Sequence, residues 1–237
     1  MNKNFLITGA SSGLGEKFSI LISDIAKKIV IVGRKRDKLL KLKKEINKNN
    51  KLVKVFIIIA DLSKKSGTLK LIQSLQKNTQ IQSIDVLVNS AAKFTVKKIE
   101  NISIKDLDSD FQLNVISPFI LSKYIGLKMK KKRKGVIFNI GSSSAYDCSK
   151  ETSIYCSTKH ALLGMSKAFN TELQSHGVKS IFIAPGSMKT PMGRKVKNQN
   201  YNTFIDPKEV ATMMKNLLND RRSMLVEEIK IKRKVYK

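Results

Sequence analysis

The stretch TGASSGLG, Thr8 to Gly15, decides how the rest of the chain is read. It follows a short apolar run, NFLI, and leads into a helical pattern that begins at Leu14, so three glycines stand where a strand becomes a helix. Gly9, Gly13 and Gly15 let the backbone turn sharply and approach a ligand closely, while the unpaired N–H groups of a helix N-terminus attract a phosphate. The turn reads as a phosphate cradle. Its spacing, G-x-x-x-G-x-G, differs from the commoner G-x-G-x-x-G dinucleotide fingerprint, so its meaning depends on what surrounds it.

Outward from this turn, strand and helix patterns alternate. The first helix is expected over Leu14 to Ala26, followed by the strand KIVIVG, a helix over about 36 to 48, the strand LVKVFIIIA, a helix over about 64 to 78 and the strand IDVLVNS. A long helical pattern from about Ser109 to Lys131 is interrupted by Pro118, and the strand GVIFNIG follows it. Next come a helix over about 153 to 176, the strand VKSIFIAPG and an irregular segment to about 205. The chain closes with a helix over about 207 to 219, with Asp206 as N-cap and Pro207 in its first turn, and a strand SMLVEEIKI. Strands apolar at successive positions are buried on both faces, as in parallel sheets. The expected fold is α/β: a Rossmann-type doubly wound parallel sheet of about seven strands with helices on both faces, one domain over residues 1–237, and ligands at the carboxyl ends of the strands.

Composition narrows the function classes. Lys and Arg number 46 against 18 Asp and Glu, a formal charge of +28. The lysines are spread through every helical segment together with Ile and Asn, which fits a genome-wide composition bias, and no specific nucleic-acid partner is expected. The densest basic run, KMKKKRKG from Lys128 to Gly135, reads as the solvated end of a helix. Two cysteines, Cys148 and Cys156, are too few for a disulfide framework, and no apolar run is long enough for a membrane span. The N-terminus enters its first strand at once, leaving no room for a signal peptide, so a cytoplasmic protein without a membrane partner is expected. His160 and His176 have no partner cluster, so no metal site is expected.

The end of the second strand bears on the cofactor. A carboxylate there would bond a ribose 2′-OH, whereas an arginine would accept a 2′-phosphate. The residues are VGRKRDKL, with Arg34 directly after Gly33, so NADP(H) is favoured over NAD(H).

Seven motifs in chain order, TGASSGLG, Asp61 in ADLS, NSAA (89–92), Asn114 in FQLNVISP, Ser142 in NIGSSS, YCSTK (155–159) and PGSMKT (185–190), resemble the signature of the short-chain dehydrogenase/reductases. The resemblance covers nearly the whole chain. It implies a catalytic set of Asn114, Ser142, Tyr155 and Lys159. It further implies cofactor contacts from Gly9, Ser12, Gly13, Leu14, Gly15, Arg34, Asp61, Asn89, Ala91, Tyr155, Lys159, Pro185, Gly186 and Thr190. In that scheme Asp61 binds the adenine, Asn89 braces the central sheet and lines the cofactor cleft, and Thr190 holds the nicotinamide carboxamide. The family's spacing between serine and tyrosine selects Ser142 over Ser143 and Ser144.

Hydride transfer needs an acid for the developing alkoxide, and the implied acid is Tyr155. Lys159, one helical turn on, is expected to lower the phenol pKa by its charge, with Ser142 donating to the substrate oxygen and Asn114 holding a water that resupplies the proton. Two positions depart from the family's pattern: Ala92 stands for a glycine and Gly141 for a frequent serine, the latter expected to affect local flexibility. The implied activity is hydride transfer between NADP(H) and a small carbonyl or alcohol substrate. The alternatives are 3-oxoacyl-carrier-protein reduction, or epimerisation or dehydration of a sugar. A homodimer or homotetramer paired through the two long helices is expected by the same resemblance. Substrate contacts are expected after Gly186, with Met188, Met192 and Tyr201 lining a pocket and Arg194, Lys195 and Lys197 meeting an acidic group.

Overall fold

The computed structural model describes residues 3–196, 199–219 and 224–234. One sheet holds seven strands: β1 (Lys3–Thr8), β2 (Ala26–Gly33), β3 (Lys54–Ile59), β4 (Val86–Asn89), β5 (Gly135–Ile140), β6 (Val178–Pro185) and β7 (Glu228–Ile231). All neighbours are parallel, in the spatial order β3-β2-β1-β4-β5-β6-β7. The winding reverses between β1 and β4, and a crevice opens there at the carboxyl ends. Register pairs Thr8 with Asn89, so the glycine turn and the loop after β4 leave the sheet side by side. Thr8 Oγ1 ties them by accepting the N–H groups of Ser90 and Ala91 at 3.1 and 3.2 Å.

Successive strand residues point to opposite faces, and both faces are covered. Phe5, Ile7, Ile29 and Ile31 pack with Phe18 of α1 (Gly13–Leu21), Leu39 and Leu42 of α2 (Arg36–Asn49) and Met214 of α7 (Pro207–Asn216). Leu6, Val30, Val32 and Leu87 pack with Leu71 and Leu75 of α3 (Lys65–Lys77) and Leu121 and Ile125 of α5 (Ser117–Lys132). The doubly wound parallel sheet expected from the sequence is the fold.

Several boundaries differ for identifiable reasons. The first helix stops at Leu21 and passes through a 3-10 turn, where Ser23 Oγ bonds back to Ile20 O at 2.8 Å, and Ala26 already belongs to β2. The long helical path begins earlier than expected, at α4 (Ile104–Phe111), because Ser103 and Asp106 form a reciprocal capping box. Pro118 does not interrupt it. Between α4 and α5 the backbone widens into a π turn, Gln112–Ile116, with Ser117 N–H bonded to Gln112 O, and the proline lies in the first turn beyond. The basic run ends α5 as a solvated terminus, with Arg133 in the left-handed region at φ 51°. β7 is shorter than expected, and Ser223 lies outside the described residues.

Candidate active site

A cleft of about 760 Å³ opens at the carboxyl edge of the sheet, and most of the residues singled out in the sequence line it. On the phosphate side these are Gly9, Ser12, Gly13, Leu14, Arg34, Asp61 and Ala91. Gly9 and Gly13 have φ of 65° and 60°, the left-handed region where glycine is favoured. A Cβ on Gly9 would stand 2.7 Å from the Ala91 backbone, so this turn accepts no side chain. Ser12 is the N-cap of α1, yet no side chain accepts a hydrogen bond at this helix start. First-turn N–H groups without side-chain acceptors, beside a cleft, suit an anionic oxygen.

Asp61 Oδ1 accepts the Ser63 N–H and hydroxyl at 3.1 and 2.7 Å. Desolvation works against its ionisation, but those bonds and then the charges of Arg34 and Lys64 outweigh it and hold the carboxyl below its ordinary range. A dinucleotide fits these residues: a backbone cradle, an ionised carboxylate and an exposed guanidinium lie along one cleft.

The other side gathers Ser142, Tyr155, Lys159, Pro185, Gly186 and Thr190. Ser142 follows β5, and its Oγ accepts the Ser144 N–H at 3.1 Å. Tyr155 and Lys159 project from α6 (Ser153–Leu173) and are 7% and 2% exposed. Lys159 Nζ donates to Ile140 O at 2.8 Å and lies 5.5 Å from the centre of the Tyr155 ring. Burial pushes the phenol up to about 12, opposed by the Ser142 hydroxyl beside it, and brings the lysine down to about 7. The expectation that the Lys159 charge lowers the phenol is therefore corrected for the free site, where desolvation dominates both groups.

Three expected site residues lie behind the cleft and do not line it. Gly15 packs under the turn, where a Cβ would meet Gly9 O at 2.7 Å. Asn89 braces the sheet through Asn139 Oδ1 at 2.8 Å and Ser122 Oγ at 3.0 Å, but it is buried in that network and the cleft-lining part of its expected role is not seen. Asn114 spends its amide on the loop after β4: Oδ1 accepts the Lys93 N–H, and Nδ2 donates to Lys93 O and Thr158 Oγ1, all at 2.9 to 3.0 Å.

Gly141 is also explained differently. A Cβ there would overlap the Phe182 ring at 2.0 Å, so packing and not flexibility requires the glycine. Thr190 accepts the Gly193 N–H at 3.0 Å, and its methyl would lie 3.2 Å from a Cβ on Gly13, so the segment after β6 folds back onto the phosphate turn. Met188, Met192 and Lys195 line the cleft, whereas Arg194 stacks on Tyr201 at 4.7 Å away from it and Lys197 lies outside the described residues.

Sequence reasoning missed Phe94. Its ring meets that of Tyr155 edge-on, with centres 4.7 Å apart. No periodicity marks it, since the contact exists only once the β4 loop folds over the start of α6.

The family model for short chain dehydrogenase matches residues 3–201. The chain belongs to the short-chain dehydrogenase family. An uncharacterized oxidoreductase of Staphylococcus aureus is 26% identical over 231 residues, covering 98% of this chain and 97% of the relative. Among solved structures, the alcohol dehydrogenase of the archaeon Thermococcus sibiricus, complexed with 5-hydroxy-NADP, superposes with a TM-score of 0.86 at 24% identity, over 100% of this chain and 98% of that one. A 4-hydroxyisoleucine dehydrogenase complexed with NADH gives 0.86 at 22% identity, over 98% and 97%. As a member of the family, this short-chain dehydrogenase is an NAD(P)-dependent oxidoreductase. Among the described residues no helix is long and apolar enough to cross a membrane, and no cluster of metal-ligating side chains occurs.

Proposed function

We propose that this short-chain dehydrogenase reduces a small-molecule carbonyl with NADPH, with Tyr155 as the proton donor. The observation that carries the reading is the pairing of two buried titratable side chains, Tyr155 and Lys159, at one end of a cleft whose other end is a phosphate turn with Arg34 beside it. When bound, the nicotinamide supplies the hydride. The protein's part is to hold the carbonyl oxygen and to protonate it.

The buried phenol keeps its proton throughout the neutral range, so a proton is at hand for the alkoxide that hydride transfer creates. Ser142 stands beside it and donates to the same oxygen as negative charge grows there. Lys159 is held against Ile140 O at the end of β5, with its Nζ 5.5 Å from the Tyr155 ring centre, and would hold the ribose hydroxyls of a bound dinucleotide. Asn114 supports the site through Lys93 and Thr158, and in this reading it also holds the water that returns the proton.

The choice of NADPH rests on Arg34, because the solved neighbours carry both kinds of dinucleotide. Arg34 is exposed, lines the cleft and lies close enough to Asp61 to stabilise its charge, which supports a role in accepting the 2′-phosphate. Assembly through α5 and α6 is supported by exposed apolar residues on α5, Phe119 and Leu127 at 47% and 50% exposure, and light scattering reads it directly.

The test has two stages. Thermal shift with NADPH against NADH should favour NADPH, and equal stabilisation would sink the Arg34 argument. Cofactor oxidation is then followed across ketones, aldehydes, keto-sugars and acyl-thioester ketones. Binding of NADPH with no oxidation on any of these would refute carbonyl reduction.

A further inference from the structure

One helix holds three separate handles of Lys93. Asn114 takes its N–H and its C=O, both at 2.9 Å, and Asp110 takes its ammonium at 2.6 Å. The two residues lie four apart, so they reach the loop from the same side of the helical path. The Asp110 side chain is fully buried and the Lys93 side chain is 37% exposed; the Lys93 ammonium, which also donates to Ser109 Oγ at 3.5 Å, meets the carboxylate as an ion pair, and neither carboxylate oxygen has a hydrogen-bond partner among the described residues.

A buried carboxylate is costly, and well-packed apolar residues in its place are commonly neutral or stabilising. Stability of α4 alone therefore gives no reason for an acid here. Geometry gives one. The Lys93 carbonyl and the Phe94 N–H share a planar peptide unit, so fixing Lys93 at three points fixes the direction from which Phe94 departs. Phe94 then meets the Tyr155 ring edge-on at 4.7 Å. On the backbone side, Thr158 Oγ1 donates to Tyr155 O at 2.8 Å while accepting from Asn114 at 3.0 Å. Tyr155 is thus held by its carbonyl through Thr158 and by its ring through Phe94.

We propose that Asp110 is a positioning residue: through its ion pair with Lys93 it seats Phe94 against Tyr155 and so sets the orientation of the phenol. The kinetic half of this rests on Tyr155 being the proton donor, while the structural half does not.

The test labels the full-length protein with 3-fluorotyrosine, which gives signals from its five tyrosines, and assigns the Tyr155 resonance by its loss in Tyr155→Phe. Asp110→Asn, Lys93→Met and Phe94→Ala should each move that resonance, Asp110→Asn should move it no further in the Phe94→Ala background, and Lys93→Arg should return it toward the wild-type position. If Asp110→Asn does not fold, Lys93→Met carries the test, since its side chain is partly exposed. On a carbonyl the enzyme reduces, kcat should fall about tenfold, less than the ~100-fold that a misplacement of ~1 Å can cause, with the Kd for NADPH within about twofold of wild type. An unmoved Tyr155 resonance in both Asp110→Asn and Lys93→Met overturns the proposal. So do independent, multiplying effects of Asp110→Asn and Phe94→Ala. Wild-type turnover by Tyr155→Phe would instead overturn the assigned acid and leave the resonance data to decide the positioning claim.

Discussion

The phosphate turn and the Tyr155 site share one cleft but are built from different material. In the proposed reading the working groups between Thr8 and Gly15 are backbone N–H, and their placement needs glycine where a Cβ would strike Ala91 or Gly9 O. Around Tyr155 the proposed working groups are side chains from α6 and from the end of β5, supported by Asn114 at Thr158 and by Phe94 of the loop after β4 at the ring. A backbone site is fixed once the chain is folded, whereas a side-chain site depends on a supporting layer that can fail by degrees. Damage to the first should therefore appear as lost affinity, and damage to the second as lost rate.

Tyr155→Phe is the strongest challenge to that division. It should lower kcat by about 10³-fold, within the usual contribution of a positioned acid, with NADPH binding preserved in a fluorescence titration. A comparable loss of NADPH affinity would erase the distinction. Gly9→Ala attacks the other side. Its positive φ and the 2.7 Å approach to Ala91 should weaken NADPH binding by about 100-fold, the strain of a left-handed alanine plus the displaced loop. If binding stays intact and only kcat falls, the turn is not the phosphate site.

Arg34→Ala sharpens the comparison within the cofactor half, since here a side chain does what backbone does elsewhere. NADPH affinity should fall about tenfold, in line with one lost charge-assisted contact, and NADH affinity should not change. Titrating both cofactors against the variant settles it.

Lys159 offers the smallest effect and a pH signature. Its folded pKa of about 7 lies below the ordinary lysine value of 10.5 because burial disfavours the ammonium. Below the folded pKa the lysine is charged in both states and the folded protein bears the full desolvation cost. Between about pH 7 and about pH 10.5 the unfolded chain binds more protons, so the cost is relieved as pH rises. Lys159→Met should accordingly raise the Tm of the cofactor-free protein by a few degrees at about pH 6, with a gain that shrinks toward about pH 10. A constant gain across this range would mean that packing, and not charge, sets the difference.

The same contrast explains what was legible in the sequence. The succession of strands and helices and the glycine turn between the first two could be read because they depend on local patterns: runs of apolar residues, glycines at fixed offsets and a strand before a helix. Tyr155 and Lys159 could be placed on one helix face by spacing, and the resemblance added Ser142 and Asn114. The supporting layer was not readable. That Asn114 grips Lys93, that Phe182 forbids a side chain at position 141, and that Phe94 meets Tyr155 edge-on are contacts between elements distant in the chain. The direction expected for the Tyr155 phenol did not hold in the free site for a related reason, because burial is a property of the closed cleft and not of an i, i+4 pair. The start of the long helical path at Ile104 was missed although Ser103 and Asp106 spell a local cap, a signal outweighed by the apolar pattern beginning later.

The π turn at Gln112–Ile116 makes the length of one helix a functional quantity. An α-helix advances about 100° per residue, and the wide turn takes up one extra residue locally so that α4 and α5 keep a common phase. A further residue added between Asp110 and α5, beyond what the turn absorbs, would rotate α4 by that angle relative to α5. With α5 anchored in the core, Asp110 would swing away from Lys93 while the sheet and its apolar layers stayed as they are. Insertions are usually judged by whether the fold survives, but here a single added residue would leave the fold intact and slacken the support of Tyr155.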